Sequence, residues 1–223
     1  MKRIKLSDRR LPDYTTGEEI MNMVTHIVGG ALGLIALILC VLRAVGRGTA
    51  LSIIGCVVYG VSIVTLYTIS SVYHGLRPGM AKKVLQVIDH CTIYFLIAGT
   101  YTPILLSVFV PTYPKIGWGL LEAEWILVAL AATLTAIDLK KYTVFSMICY
   151  IGMGWGIVFF LPQTMELMTA PGFSLLLAGG IAYTIGAILY GIGAKKRWIH
   201  SVFHILVVIG SLLQFLAIYL YAL

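Results

Sequence analysis

The chain has 223 residues, of which 60% are hydrophobic and 11% charged, and its mean hydropathy is +0.96. A soluble domain carries about 25% charged residues, so this composition excludes an ordinary soluble protein and predicts an integral membrane protein. The formal net charge is +7. The basic residues lie at the ends of apolar segments, which favours lipid headgroups and membrane topology over nucleic acid as their explanation.

In chain order, residues 1–19 form a basic arm, which we expect on the cytoplasmic side, and no cleavable signal peptide is visible in it. A single transmembrane domain, 20–223, follows. Seven apolar runs in it approach or exceed the length of about 20 residues that a membrane-spanning helix needs, so we predict an all-α bundle of seven transmembrane helices. The predicted spans are 20–42, 49–73, 84–108, 118–138, 142–162, 172–193 and 198–221.

Lysine and arginine are distributed unequally between the two ends of these spans. The arm and the second, fourth and sixth connections carry 13 of them, whereas the other side has Arg43, Arg47 and Lys115. Basic residues accumulate on the cytoplasmic side of membrane proteins. The count therefore predicts a cytoplasmic N-terminus and, with seven spans, a C-terminus outside. The residues on the basic side are Lys2, Arg3, Lys5, Arg9, Arg10, Arg77, Lys82, Lys83, Lys140, Lys141, Lys195, Lys196 and Arg197.

The positions of the cysteines and glycines indicate how the predicted helices pack against one another. The four cysteines lie inside apolar segments and form no Cys-x-x-Cys pair, so we interpret them as small buried hydrophobes. Gly29 with Gly33, and Gly152 with Gly154 and Gly156, have the spacing that lets transmembrane helices approach each other closely. The cysteines are Cys40, Cys56, Cys91 and Cys149.

All five histidines fall near predicted cytoplasmic ends of spans. His200 and His204 are four residues apart, which places both imidazoles on one helical face about 6 Å apart along the axis. Together with His74 they offer three imidazoles from two helices, a set that suits zinc and leaves a fourth position for water. Ligand type alone also allows iron, cobalt or nickel. The other two histidines are His26 and His90.

Asp89 is the ionisable residue that stands out, because it lies in an apolar stretch at the start of the third span. Such a group is costly inside a membrane and is a candidate functional residue. We predict that Asp89 holds a metal-bound water and acts as general base or acid. Ser70 lies one turn before His74 and is predicted to donate a hydrogen bond to that water or to an oxyanion, with bonding back to its own helix as the alternative.

A polar stripe enters the first span, since Glu18, Asn22 and His26 are each four residues apart. With His90, we interpret these residues as groups that surround and orient the ligands. Plain packing remains the alternative for His26 and His90. A favourable charge in a first helical turn is the alternative for Glu18 and its neighbour Glu19.

These residues together resemble the hemolysin III branch of the progestin and adipoQ receptor family, within a wider group that includes alkaline ceramidases. The resemblance runs from the first span to the last. It implies a seven-helix bundle with a zinc ion near the cytoplasmic face, held by His74, His200 and His204, with Asp89 bound through water and Ser70 beside it. The matching stretches are Glu18-x-x-x-Asn22-x-x-x-His26, Ser70-Ser71-Val72-Tyr73-His74, Asp89-His90, Ala98-Gly99-Thr100-Tyr101-Thr102-Pro103 and His200-x-x-x-His204.

Three functions remain open from the sequence. The first is a zinc-dependent hydrolase of a lipid amide or ester, the second a receptor-like membrane protein with structural zinc, and the third a haemolytic or pore-related protein. Shared fold alone does not decide among them. In each case the expected location is the cell membrane and the expected partner a membrane lipid or similar molecule, with no nucleic acid; the substrate and the oligomeric state are not readable.

Overall fold

The computed structural model describes residues 5–47, 49–193 and 196–223, and most of them are helical. Lys2, Arg3 and Lys195 of the topology count lie outside the described residues. Two π-helical turns, Leu105–Phe109 and Ile218–Ala222, extend the helices that begin at Met80 and Ile199. The helices are α1 Thr16–Arg47, α2 Ala50–Gly75, α3 Met80–Ile104, α4 Pro114–Ile137, α5 Thr143–Gly154, α6 Leu161–Gly193 and α7 Ile199–Ala217.

Within the described residues, six helical segments are long and apolar enough to cross a membrane, which confirms an all-helical membrane protein. Five of them overlap predicted spans one to one. The predicted spans 142–162 and 172–193 both fall in the segment Thr143–Gly191, of 49 residues. A straight helix of that length would extend about 70 Å, more than twice the hydrocarbon thickness of about 30 Å. Seven separate crossings therefore stay a prediction.

The long segment is not a straight helix. A 3-10 stretch, Gly156–Phe160, separates α5 from α6, and Thr169 inside α6 has the non-helical backbone angles φ 61° and ψ 168°. A threonine at positive φ is unusual because its branched side chain crowds the backbone there. Pro171 follows at once and cannot donate a backbone hydrogen bond to the helix. These features interrupt the segment at two places.

Helix α1 shows why the chain packs as a membrane bundle. Its buried residues recur every three or four positions and are small or polar, whereas large apolar side chains such as Ile27, Leu34 and Leu42 are exposed. This is the reverse of a soluble helix and is the pattern of a helix whose outer face meets lipid. The buried stripe of α1 consists of Glu18, Asn22, His26, Gly29, Gly33, Ala36, Cys40 and Ala44.

The glycine predictions divide into a confirmed pair and a wrong one. An added Cβ at Gly29 would lie 2.5 Å from the Tyr67 ring of α2, and one at Gly33 would lie 3.1 Å from Ile63, so α1 and α2 do pack closely there. A Cβ at Gly152 or Gly154 would meet nothing within 4 Å. The prediction of close packing at those two residues is wrong for the described helices, and Gly154 instead borders a cavity, where its carbonyl oxygen accepts a hydrogen bond of 3.1 Å from the Tyr101 hydroxyl.

Tyr67 also fixes α7 against α2. Its hydroxyl donates to the Ser211 hydroxyl at 2.7 Å, and the Tyr183 hydroxyl of α6 lies 2.8 Å from the same Ser211 oxygen. A hydrogen bond between helices is favoured where water is absent, because the alternative is an unpaired polar group in an apolar interior. One serine therefore joins α2, α6 and α7 roughly two helical turns beyond His204.

We expect Gly29→Ala to lower the melting temperature of the purified protein. The new methyl group would meet a ring that is 1% exposed and held by a hydrogen bond, and overpacking of this kind costs about 1–3 kcal/mol. Gly152→Ala is the matched control and should raise the melting temperature slightly, because alanine is the better helix former by about 1 kcal/mol. A Gly29→Ala protein as stable as wild type would contradict the tight α1–α2 contact.

Candidate metal centre

Three histidines converge at one end of the bundle. His200 and His204 lie one turn apart on α7, and His74 lies in the last turn of α2. One ring nitrogen from each lies within 4.8 Å of the other two, and the Nε2 atoms of His200 and His204 are 3.0 Å apart. Two nitrogens bound tetrahedrally to zinc at about 2.05 Å would be about 3.3 Å apart, so little movement is needed. We call these three residues the histidine cluster.

His74 is oriented by a carboxylate of α1. Its Nδ1 atom lies 2.7 Å from Glu19 Oε2, and the other Glu19 oxygen, Oε1, accepts a hydrogen bond from the Lys82 ammonium group at 2.8 Å. A carboxylate accepts the Nδ1–H of a neutral imidazole, which leaves the Nε2 lone pair free to bind a metal. Lys82 is itself 3% exposed and donates to the backbone oxygens of His74 and Leu76.

His204 is oriented by the backbone of α1. Its Nδ1 atom lies 3.3 Å from the carbonyl oxygen of Asn22, which favours the same tautomer as in His74. The Asn22 side chain accepts a hydrogen bond of 2.7 Å from the Ser201 hydroxyl of α7. Asn22 therefore holds the start of α7 beside α1 at the level of the cluster.

The donor set fits a divalent ion such as zinc. The Nε2 atom of His74 is buried and has no hydrogen-bond partner. A neutral imidazole that donates through Nδ1 can only accept at Nε2. A buried acceptor without a donor costs about 1–3 kcal/mol, and a cation shared by the three rings would remove that cost. Three imidazoles also leave an open coordination position, as at catalytic zinc sites.

The end of the N-terminal arm covers the cluster. The Tyr14 ring stacks on His200 with ring centroids 4.9 Å apart, and its centroid is 5.9 Å from that of His74. Burial raises the pKa of the Tyr14 phenol, so it stays neutral at physiological pH. The arm therefore closes the site on one side with an uncharged aromatic ring.

Glu18 attaches α7 to α1. Its carboxylate accepts the Trp198 backbone N–H at 2.6 Å and the Thr15 backbone N–H at 2.9 Å. Trp198 has the left-handed backbone angles φ 66° and ψ −10° just before α7, a conformation that costs energy for a bulky residue. The hydrogen bond to Glu18 stabilises this turn and so places the first residues of α7, including His200.

Asp89 and Ser70 line one long and mainly apolar cavity with His200 and His204. The Ser70 hydroxyl is 1% exposed and lies close enough to the Asp89 carboxylate to stabilise its charged form. The Asp89 side chain is 15% accessible. It is not among the atoms that converge within 4.8 Å, so the structure places it beside the histidine cluster without making it a member.

His26 and His90, the other predicted histidines, occupy different positions. The His26 ring stacks on His204 with centroids 3.7 Å apart, and both of its nitrogens are buried without partners. His90 has partners on both sides, because its Nδ1 lies 2.7 Å from the Gln86 carbonyl oxygen and its Nε2 lies 2.9 Å from the Tyr190 hydroxyl. His26 thus contacts the cluster, whereas His90 is held away from it.

Glu19, Lys82 and Tyr14 are the residues that sequence reasoning missed. The spacing of four along α1 selected Glu18 as the polar group nearest the ligands, but Glu19 is the carboxylate that contacts His74. Lys82 counted only as a topological charge, although its ammonium group is buried beside Glu19. The available signals were a lysine eight residues after His74 and a glutamate at the start of the first span, and both are too common in membrane proteins to be specific.

Comparison with known proteins agrees with these features. A family model described as haemolysin-III related matches residues 14–215. The chain is 38% identical over 206 residues to "Hemolysin-3" of Bacillus cereus, which covers 92% of each chain. It is 35% identical over 208 residues to the "Hemolysin-3 homolog" of Bacillus subtilis (strain 168), which covers 93% of this chain and 96% of the relative.

We expect Glu19→Gln to destabilise the purified protein, since it leaves the Lys82 cation buried without a counter-charge. Loss of one partner from a buried pair costs about 3–5 kcal/mol, and the partial exposure of Glu19 places the effect near the lower end. The double variant Glu19→Gln, Lys82→Met removes both charges and should recover much of the loss. The melting temperature measures both, with exposed Glu122→Gln as control. If Glu19→Gln behaves as Glu122→Gln, the pair is not structural.

Proposed function

The chain belongs to the haemolysin-III-related family and is a multi-pass protein of the cell membrane, and on that premise we propose that it is a metal-dependent hydrolase of a lipid amide or ester. One observation carries the proposal. Ring nitrogens of His74, His200 and His204 converge within 4.8 Å, and two of these histidines line a mainly apolar cavity together with the Asp89 carboxyl group. This arrangement combines an open metal site with a compartment for a hydrocarbon chain.

The proposal includes seven crossings, with the histidine cluster near the cytoplasmic face. The 13 basic residues predicted at the cluster's end support this orientation. The length of Thr143–Gly191 and its interruption at Thr169 support two crossings within that segment. With that topology, the arm and the start of α1, α3 and α7 lie on the cytoplasmic side.

His74, His200 and His204 would hold the ion, and zinc is the ion that we propose. When bound, it would polarise the carbonyl of the substrate and lower the pKa of a coordinated water. Glu19 and the Asn22 carbonyl would keep the His74 and His204 rings in the orientation that the structure already shows.

Asp89 and Ser70 would perform the proton transfers around the reacting carbonyl. Asp89 takes a proton from the attacking water as the new C–O bond forms, and returns it to the amine or alcohol when the C–N or C–O bond breaks. The Ser70 hydroxyl has one hydrogen, which it would donate to the Asp89 carboxylate before the reaction. Once Asp89 is protonated, that hydrogen is free to turn toward the oxyanion. The products are a carboxylic acid and an amine or alcohol.

The lipid substrate is supported by the cavity itself. It extends from Asp89 and Ser70 to Phe173, Leu176 and Gln214, and aliphatic and aromatic side chains make up most of its lining. A hydrocarbon chain buried there is favoured by about 0.8 kcal/mol for each methylene group removed from water. A polar substrate would lose its hydration in the same place without matching hydrogen bonds.

A structural role for the metal is the alternative, and a specific contact favours it. The cluster and its orienting groups join α1, α2, α3 and α7 through His74, Glu19, Lys82 and His204, so a bound ion would also stabilise the fold. The names of the two relatives refer to haemolysis, and a haemolytic activity of this chain is a further possibility that zinc-independent lysis of red cells would support.

We expect one equivalent of zinc in the protein purified from membranes without chelators. His74→Ala, His200→Ala and His204→Ala should each lower the zinc affinity at least tenfold, because each removes one of three ligands. His90→Ala is the matched control and should retain zinc, because His90 is hydrogen-bonded elsewhere. Elemental analysis measures all five proteins. Metal-free wild type that still fails to take up added zinc would refute the site.

We expect the zinc-loaded protein to release fatty acid from at least one lipid in a panel of ceramides, N-acyl amines and acyl esters. Asp89→Asn should abolish turnover while zinc is retained, a loss of at least 100-fold that reflects the missing general base. Ser70→Ala should lower turnover by a factor of about 10, and the exposed Asp13→Asn should leave it unchanged. A large fall in melting temperature on chelation, with no turnover of any lipid by the zinc-loaded protein, would favour structural zinc.

A further inference from the structure

A second cavity lies at the same end of the bundle as the histidine cluster. It is formed by the arm, by the start of α3, by the connection between α4 and α5, and by the end of α6. We call it the basic pocket, because cationic side chains surround it. The residues that matter here are Arg9, Arg10, Gln86, His90, Lys140 and Tyr190.

The charged side chains around the basic pocket have a net positive charge. Arg9, Arg10 and Lys140 line it, against the carboxylate of Asp8. A second carboxylate, that of Asp138, is close enough to affect Arg9. Burial lowers the pKa of Arg9 from its ordinary value, and Asp138 opposes that shift only in part. The pocket therefore has an uncompensated cationic charge.

Two polar atoms of this pocket are buried without hydrogen-bond partners, namely Nη1 of Arg9 and Oε1 of Gln86. A guanidinium nitrogen that has lost water and gained no acceptor is costly, and the oxygen of a carboxylate or phosphate is the partner that guanidinium binds best. The Gln86 amide can offer either its oxygen or its nitrogen by rotation, so it can also serve such a group.

A thin partition separates the basic pocket from the main cavity. His90, Met147, Tyr150 and Tyr190 line both. His90 Nε2 lies 2.9 Å from the Tyr190 hydroxyl, and the Tyr150 hydroxyl donates to the His90 backbone oxygen at 2.8 Å. Asp89 and Ser70 line the cavity on the other side of this partition. The main cavity and the basic pocket are thus separated by about the thickness of one side chain.

We propose that the basic pocket binds the carboxylate or phosphate group of an amphiphile whose hydrocarbon chain occupies the main cavity, with the His90 and Tyr190 side chains turning aside to let the chain pass between the two. This rests on the proposed function only in taking a lipid as the ligand. The carboxylate of a fatty acid in the main cavity has a cationic site within reach, and the phosphate headgroup of a lipid has the same one. Among the described residues that line the main cavity there is no lysine or arginine, so the basic pocket is the part of this region that offers an anion cationic side chains.

Equilibrium binding of four probes to the full-length protein in a non-ionic detergent tests this. The probes are laurate, dodecyl phosphate, dodecyl methyl ether and inorganic phosphate. We expect one or both anionic amphiphiles to bind at least tenfold more tightly than dodecyl methyl ether, and the stronger of the two identifies the anionic group. Inorganic phosphate that binds as tightly as dodecyl phosphate would overturn the role of the chain, and anionic probes no tighter than dodecyl methyl ether would overturn the site.

Variants locate the binding in the basic pocket. Arg9→Gln with Lys140→Gln should weaken the binding of the anionic amphiphiles at least tenfold and leave the binding of dodecyl methyl ether unchanged. Arg77→Gln with Lys115→Gln is the control of equal charge, because both residues are exposed and lie outside the pocket. Arg9→Lys should retain most of the affinity. Undiminished binding in the first double variant would overturn the proposal. Because no turnover is measured, an inactive protein can pass this test and an active hydrolase can fail it.

Discussion

The contact between His74 and Glu19 is the interaction on which the site depends. It fixes which nitrogen of His74 has the hydrogen, and so determines that Nε2 faces the imidazoles of α7. Glu19 is able to stay ionised at this depth because the Lys82 ammonium group binds its other oxygen. The Glu19–Lys82 ion pair therefore joins α1 and α3 to His74 of α2. Through Glu19 it also determines which nitrogen of the His74 ring is available to a metal.

Close helix packing makes this contact possible. Glu19 and His74 are 55 residues apart, and they meet because Gly29 and Gly33 let α1 lie directly against Tyr67 and Ile63 of α2. A larger residue at either glycine would separate the helices over several turns. The same tyrosine reaches Ser211, so the position of α7, and with it of His200 and His204, depends on the same contact. Small residues in the middle of the bundle thus align polar residues at its end.

Sequence reasoning predicted features that depend on local spacing, and missed those that depend on side-chain direction across helices. A pair of histidines four apart must share a face, and long apolar runs must span, so the convergence on α7 and most helix positions followed directly. Glu18 and Glu19 are adjacent and chemically alike, and only the rotation of α1 relative to α2 and α7 decides that Glu18 caps Trp198 while Glu19 binds His74. The backbone break at Thr169 is set by tertiary packing, and the sequence marks it only by the nearby Pro171.

The charge around the cluster bears on whether a bound ion would be catalytic. Three neutral imidazoles would leave a dication with both of its charges, and the Glu19 carboxylate is already balanced by Lys82. Asp89 is the remaining carboxylate that lines the cavity, so the site would keep about one positive charge even with Asp89 ionised. A structural zinc site removes such a charge with thiolates or a fourth protein ligand, and within the described residues neither belongs to the set of atoms that converge within 4.8 Å. An uncompensated charge beside an open position stabilises hydroxide and a developing oxyanion, which is what hydrolysis of a carbonyl compound requires.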